Sequence, residues 1–140
     1  MVAYGPDMGA VSITVTSQGH TTVVTPHGDL TATTFTQLEA SLAPLLAREQ
    51  PLLVIDLSQV TTCDTTGLLL LDVAARVAAD STGVLRLAAP PAGVCQALRQ
   101  AGTMHVIATY RTVSGAVADD LLDLLATPHP PARTVSANPD

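Results

Sequence analysis

Residues 52–80 constrain the fold more than any other part of the chain. They open with the unbroken apolar run Leu52-Leu53-Val54-Ile55 and close it on Asp56-Leu57. A short polar link over 58–63 leads to Asp64-Thr65-Thr66-Gly67, and Leu68-Leu69-Leu70-Leu71 then begins an alanine-rich segment ending at Asp80. A run that is apolar at every position, instead of every second one, suits a strand in a sheet covered on both faces. The stretch therefore reads as a buried strand, a turn and a helix. Asp64 or Thr65 is the natural N-cap. The first helical turn then presents two threonine hydroxyls at the positive end of the helix dipole, a place that tolerates an anion. At about 100° per residue, Thr65, Leu69, Asp72, Arg76 and Asp80 share one face. A leucine on a charged face, one turn beyond an exposed hydroxyl, marks a contact surface. The plainer alternative is a cap, a turn and a single exposed leucine, all of which are common.

The flanking segments supply the other layers. Val11, Ile13 and Val15 alternate with Ser12, Thr14 and Thr16, as in a half-buried strand. Gln18-Gly19-His20 makes a turn, and 21–25 returns as a second strand that Pro26 ends or holds at an edge. His27-Gly28-Asp29-Leu30-Thr31 leads into a helix capped by Thr31, with Phe35, Leu38, Leu42, Leu45 and Leu46 at helical spacing and Pro44 kinking or splitting its last turn. Ser81-Thr82-Gly83 stops the central helix. Residues 84–88 form a strand with Arg86 its sole charge. Pro90-Pro91 opens a helix carrying Val94, Cys95, Leu98 and Ala101 and ending at Gly102. A short strand over 106–108 follows. Thr112 then caps a last helix, with Val113, Val117, Leu121, Leu124 and Leu125 on one face and Asp119, Asp120 and Asp123 on its solvated face. Residues 1–10 read as a lead-in and 127–140, with four prolines, as a disordered tail, leaving one domain over 11–126. The order β-β-α-β-α-β-α-β-α predicts an α/β fold: a mixed β-sheet of four to five strands with about four helices packed on it.

Composition narrows the function. A net charge of −6 with no basic cluster argues against nucleic acid, and Phe35, Tyr4 and Tyr110 are too few aromatics for a base-stacking platform. No stretch reads as a signal peptide or a membrane span. Cys63 and Cys95 fit neither a disulfide framework nor a zinc site, which accords with a reducing, cytoplasmic setting. There is no nucleophile elbow, no phosphate-cradling glycine loop and no paired-histidine metal motif. His20, His27, His105 and His129 are scattered, Asp56 and Asp64 are separated by a loop, and Cys63 reads as a small packed hydrophobe before a redox thiol. The chain is thus expected to be a binding protein and not an enzyme, with no cofactor and no metal.

At Asp64-Thr65-Thr66-Gly67 the chain resembles the STAS family, specifically the anti-sigma factor antagonists of bacteria, whose motif is Asp, two hydroxyl residues, Gly and a leucine-rich helix. Gly28-Asp29-Leu30 before the first helix, the Asp56-Leu57-Ser58 strand end, the proline-started third helix and the capped final helix extend the resemblance over 11–125. The resemblance implies a STAS fold, and Thr65 as the residue phosphorylated by a serine/threonine kinase that is itself the anti-sigma factor, with Thr66 the second choice. It further implies that the unphosphorylated form binds that kinase and frees a sigma factor, and that a PP2C-type phosphatase resets the switch. Asp29, Asp64, Thr65, Thr66, Gly67 and Leu69 are the implied partner-binding residues. The alternative within the family is an unphosphorylated scaffold or ligand-sensing subunit of a larger complex. The apolar face of the central helix also leaves a homodimer open.

Overall fold

The computed structural model describes residues 12–126, so Val11, the lead-in over 1–10 and the tail over 127–140 lie outside the described residues. Along the chain, β1 (Ser12–Gln18) and β2 (Thr21–Leu30) form a hairpin, followed by α1 (Phe35–Leu46), β3 (Leu52–Asp56), β4 (Val60–Cys63) and α2 (Thr65–Asp80). Then come β5 (Val84–Ala88), α3 (Ala92–Ala101), β6 (Thr109–Tyr110), α4 (Val113–Ala118) and β7 (Leu124–Ala126). The sheet runs β1-β2-β3-β5-β6-β7, with β4 paired to β2 off this path. The two outer pairs, β1–β2 and β6–β7, are antiparallel, and the inner pairs are parallel. The result is the expected mixed α/β sheet, with seven strands in place of four to five and four α-helices among the described residues.

The apolar run at 52–55 is explained by the two cores. Leu53 and Ile55 face one side and pack with Leu38, Leu42 and Leu45 of α1, Leu71 and Ala74 of α2, and Leu98 of α3. Val54 faces the other side and packs with Val23, Ala88, Tyr110 and Ala116 of α4. Both faces are covered, so the strand needs apolar residues at every position. β5 follows the same alternation: Leu85 and Leu87 join the larger core, while Arg86 points to the α4 side. There Arg86 donates to the Ala116 carbonyl at 3.0 Å and pairs with Asp119 at 3.8 Å.

Several local expectations are corrected, each for an identifiable reason. β1 is not half-buried: Val15 is 48 % exposed and only Ile13 packs on the core, because an edge strand has one neighbour. β2 runs through Pro26 to Leu30 instead of stopping there. Its parallel partner changes from β3, paired at Thr22–Val24, to β4, paired from Gly28, so the missing N–H falls between the two. Thr31 does not cap α1. It ties a turn, accepting from the Thr33 N–H at 3.2 Å, and the N-cap position is Thr34, whose hydroxyl donates to the Asp29 carbonyl at 2.6 Å. α1 continues through Pro44 for two more residues. The link over 58–63 contains β4.

Beyond α3 the chain departs further. No strand forms at 106–108: a single-turn 3-10 helix at Thr103–His105 takes up the chain, Val106 is exposed, and pairing starts at Thr109 opposite Leu87. Thr112 caps α4 as expected, accepting from the Gly115 N–H at 2.9 Å, but the helix stops after six residues at Asp119, which is left-handed at φ 54°. Leu121 and Leu122 are therefore exposed, and Leu124 enters β7. The three aspartates are tied in, not merely solvated. Asp119 accepts from the Tyr110 hydroxyl, Asp120 from the Leu122 N–H at 3.0 Å, and Asp123 from the Thr112 N–H and hydroxyl at 2.9 and 2.7 Å.

At the α2–β5 turn the left-handed residue is Thr82, at φ 57°, not Gly83. Gly83 is needed for another reason: a Cβ there would sit 2.1 Å from the Pro51 carbonyl oxygen. Gly83→Ala is expected to lower stability by roughly 1–3 kcal/mol through overpacking. Gly93→Ala, where nothing lies within 4 Å of the added carbon, is expected to raise it by about 0.4–1 kcal/mol. Urea unfolding of the two variants checks the pair.

Candidate functional site

The site is built where β2 and β4 end side by side. Leu30 pairs with Cys63 in the register of these strands, so Asp29 and Asp64 come to the same rim, at the carboxyl ends of parallel strands. The Asp29 carboxylate accepts from the Thr62 hydroxyl at 2.9 Å, which crosslinks the two strands. Asp64 adopts an extended backbone and caps α2, its Oδ1 accepting from the Gly67 N–H at 3.0 Å. Its Oδ2 accepts from the Ala32 N–H at 3.2 Å, and its own N–H donates to the Leu30 carbonyl at 3.0 Å. One aspartate thus holds the loop before α1 against the first turn of α2.

Gly67 makes that approach feasible. It is buried, and a Cβ there would lie 2.6 Å from the Leu30 carbonyl oxygen and 3.1 Å from the Cys63 Sγ. Gly67 therefore sits beneath the surface that the other named residues form. Thr65, the first residue of the helix, is exposed, and Thr66 is half-buried. Asp29, Asp64, Thr61 and Thr62 are exposed beside them. The two β4 threonines were missed in the sequence because 58–63 reads as a polar link. Successive threonines beside Val60 were the available sign of a short strand.

Leu69 is 56 % exposed, one turn beyond Thr65. Val73 and Val77 continue this apolar edge at 52 % and 39 % exposure, and neither was singled out in the sequence. Their i, i+4 spacing from Leu69 carried the signal, beside the charged stripe of Asp72, Arg76 and Asp80. That stripe is itself uneven. Arg76 and Asp80 are exposed, whereas Asp72 is half-buried with one carboxylate oxygen unpartnered. Burial raises the Asp72 pKa, and the Arg76 charge opposes the rise. Across from Leu69 and Val73 stand Phe35 and Glu39 of α1, and together they line a hollow of about 290 Å³.

Burial, reinforced by the charge of Asp64, pushes the Cys63 thiol up to about 11, so it stays protonated at neutral pH and acts as a packed hydrophobe. Among the described residues no group of three or more histidine, cysteine, aspartate or glutamate side chains is placed to hold a metal, and no helix is long and apolar enough to cross a membrane. The arrangement offers a contact surface with the exposed Thr65 hydroxyl at its end.

A mixed sheet covered on both faces thus carries a hydroxyl-bearing turn at the start of its central helix. Residues 13–108 match the family model described as "Mlab, STAS domain", and the chain belongs to the STAS domain family. No curated protein sequence matches it. Among solved structures it is similar to an anti-sigma factor antagonist from Mycobacterium paratuberculosis, with a TM-score of 0.72 and 24 % identity over 78 % of this chain and 92 % of that one. It is also similar to the anti-sigma factor antagonist SpoIIAA in its unphosphorylated form (TM-score 0.64, 15 % identity, 77 % and 95 % covered). The phosphorylated form of SpoIIAA, described as a Bacillus cell fate determinant, matches as well (TM-score 0.59, 14 % identity, 77 % and 98 % covered). At these identities the likeness is one of fold.

Two measurements check the site. Asp64→Ala is expected to cost about 1 kcal/mol, within the roughly 0.5–2 kcal/mol of a lost N-cap, and to speed amide exchange at Gly67 and Ala32 together. The raised Cys63 and Tyr110 pKa values, about 11 and about 12 against ordinary values of 9.0 and 10.0, fix a sign for alkaline stability. The unfolded chain releases these protons first, so the native state holds more protons and stability falls as pH rises from about 9 towards 12. Cys63→Ser is expected to flatten the part between about 9 and 11 in a pH series of urea melts.

Proposed function

We propose that this chain is an anti-sigma factor antagonist that works by binding, with Thr65 as its phosphorylation switch. One observation carries the reading: an exposed threonine hydroxyl begins α2, on a rim fixed by Asp64 and next to the exposed apolar edge of Leu69 and Val73. Membership of the STAS family and the fold shared with both forms of SpoIIAA support it. In this reading the partner is an anti-sigma factor serine/threonine kinase. It binds the unphosphorylated face formed by Asp29, Asp64, Thr65, Thr66 and Leu69, and a PP2C-type phosphatase restores that form. The setting is the bacterial cytoplasm.

Phosphorylation would add about −1.5 to −2 charges to that rim. The start of α2 offers its dipole to the new group, so the helix keeps its cap while the face becomes more negative towards a docked partner. Asp29 and Asp64 add to the negative field. A loss of about 3 kcal/mol in binding corresponds to more than a hundredfold. The switch acts on association and leaves the domain folded. A second reading, an unphosphorylated STAS subunit of a larger complex, draws on the apolar edge that runs along α2 away from Thr65 through Val77.

Affinity capture from the host lysate with wild-type protein, Thr65→Ala and Thr65→Glu separates the two. Wild type and Thr65→Ala are expected to recover a histidine-kinase-like ATPase that Thr65→Glu does not, with the thermal melt of all three variants unchanged. Equal recovery by all three assigns the chain to the scaffold reading and leaves Thr65 as the first residue of a capped helix.

A further inference from the structure

The face between α1 and α2 continues well past Thr65. Leu42 and Leu46 of α1, with Ala47 just beyond its end, face Leu70, Val73 and Val77 of α2 around a hollow of about 380 Å³. The smaller hollow at Phe35, Thr66 and Leu69 adjoins it, since both share Glu39, Leu70 and Val73. From Thr66 to Val77 the groove follows α2 for about 17 Å, or roughly three helical turns. Its lining is apolar except for Glu39 and the Thr66 hydroxyl at one end. Glu39 is exposed, and among the described residues no cation pairs with it.

We propose that this groove seats an amphipathic helix of a partner protein, about three turns long, which inserts an apolar edge between α1 and α2 and places an arginine or lysine against Glu39. The proposal rests on the reading of the α2 face as a partner-binding surface. It adds which chemistry the partner brings and where its helix lies. A groove between two helices accepts a third through apolar anchors at i, i+3, i+4 and i+7. Covering Glu39 with an apolar surface would strand a carboxylate without water or partner, which is strongly unfavourable. The occupant must therefore bring a cation to that point. A second copy of this chain is a poorer fit, since it brings a net charge of −6 and another unpaired Glu39. A small apolar ligand is poorly served too, because Val73 and Val77 stand 52 % and 39 % exposed on an open wall, whereas ligand pockets enclose most of what they hold.

Two synthetic helical peptides of about 14 residues test this. They share one leucine and alanine face, and carry arginine in one peptide and glutamate in the other along its flank. Each is titrated into the isotope-labelled full chain and followed by NMR. The arginine peptide is expected to shift the signals of Phe35, Leu69, Val73 and Val77, and to bind about tenfold more tightly than the glutamate peptide. Glu39→Arg is expected to reverse that order, and Val73→Asp to weaken both peptides with the circular dichroism unchanged. Three results would each overturn the proposal: shifts centred outside these residues, a preference that survives Glu39→Arg, or tighter binding of palmitate than of the arginine peptide in the same groove. Self-association through Leu69, Val73 and Val77 in sedimentation would do so as well. No kinase and no change at Thr65 enters the titration. Failure of the phosphorylation switch therefore leaves its result standing, and failure here leaves the switch untouched.

Discussion

The bidentate use of one carboxylate holds the candidate surface together. Asp64 caps α2 through Gly67 and, with its second oxygen, secures the loop before α1 through Ala32. Both contacts depend on the close packing of Leu30 over the first turn of α2, which a side chain at position 67 would block. Position, orientation and exposure of Thr65 therefore come from tertiary contacts with β2, not from the helix alone. The arrangement is tied at both ends without being deep. That suits recognition by another protein more than containment of a substrate.

The sheet behind this rim divides the work between its faces. α1, α2 and α3 share the larger core, and the crevice between the first two opens outward. α4 covers the opposite face over a smaller cluster. It is held there by Arg86, which bonds the Ala116 carbonyl and pairs with Asp119, while Asp119 also receives the Tyr110 hydroxyl. This ionic and aromatic polar cluster lies away from the candidate surface, where it fastens the last strands. The surface itself is left to hydroxyls, carboxylates, aliphatic side chains and Phe35.

Much of this was legible because one signal dominated. The apolar run at 52–55, the Asp64 cap and the leucine-rich helix placed the central strand and α2 close to their observed bounds, since burial on both faces leaves no polar alternation to confuse the pattern. The failures came where tertiary context overrides local rules. Pro26 reads as the end of a strand or an edge position, yet β2 continues through it where its parallel partner changes from β3 to β4. Periodicity alone also misled at the last helix. Leu121, Leu124 and Leu125 suggested one apolar face, although Asp119 turns left-handed and redirects the chain into β7. At the site, Thr65 and Leu69 were visible as an exposed pair. Val73 and Val77 were not, because the face read from the sequence ran from Leu69 through Asp72, Arg76 and Asp80.

The positions of the two edge strands carry a geometric consequence for the chain's architecture. β1 and β7 border opposite sides of the sheet, five strand spacings or about 24 Å apart. Residues 12 and 126 therefore lie on opposite flanks of the sheet. Both flanks lie to the side of the crevice between α1 and α2, which opens from one face of the sheet, so the edges of the sheet and the candidate surface point in different directions.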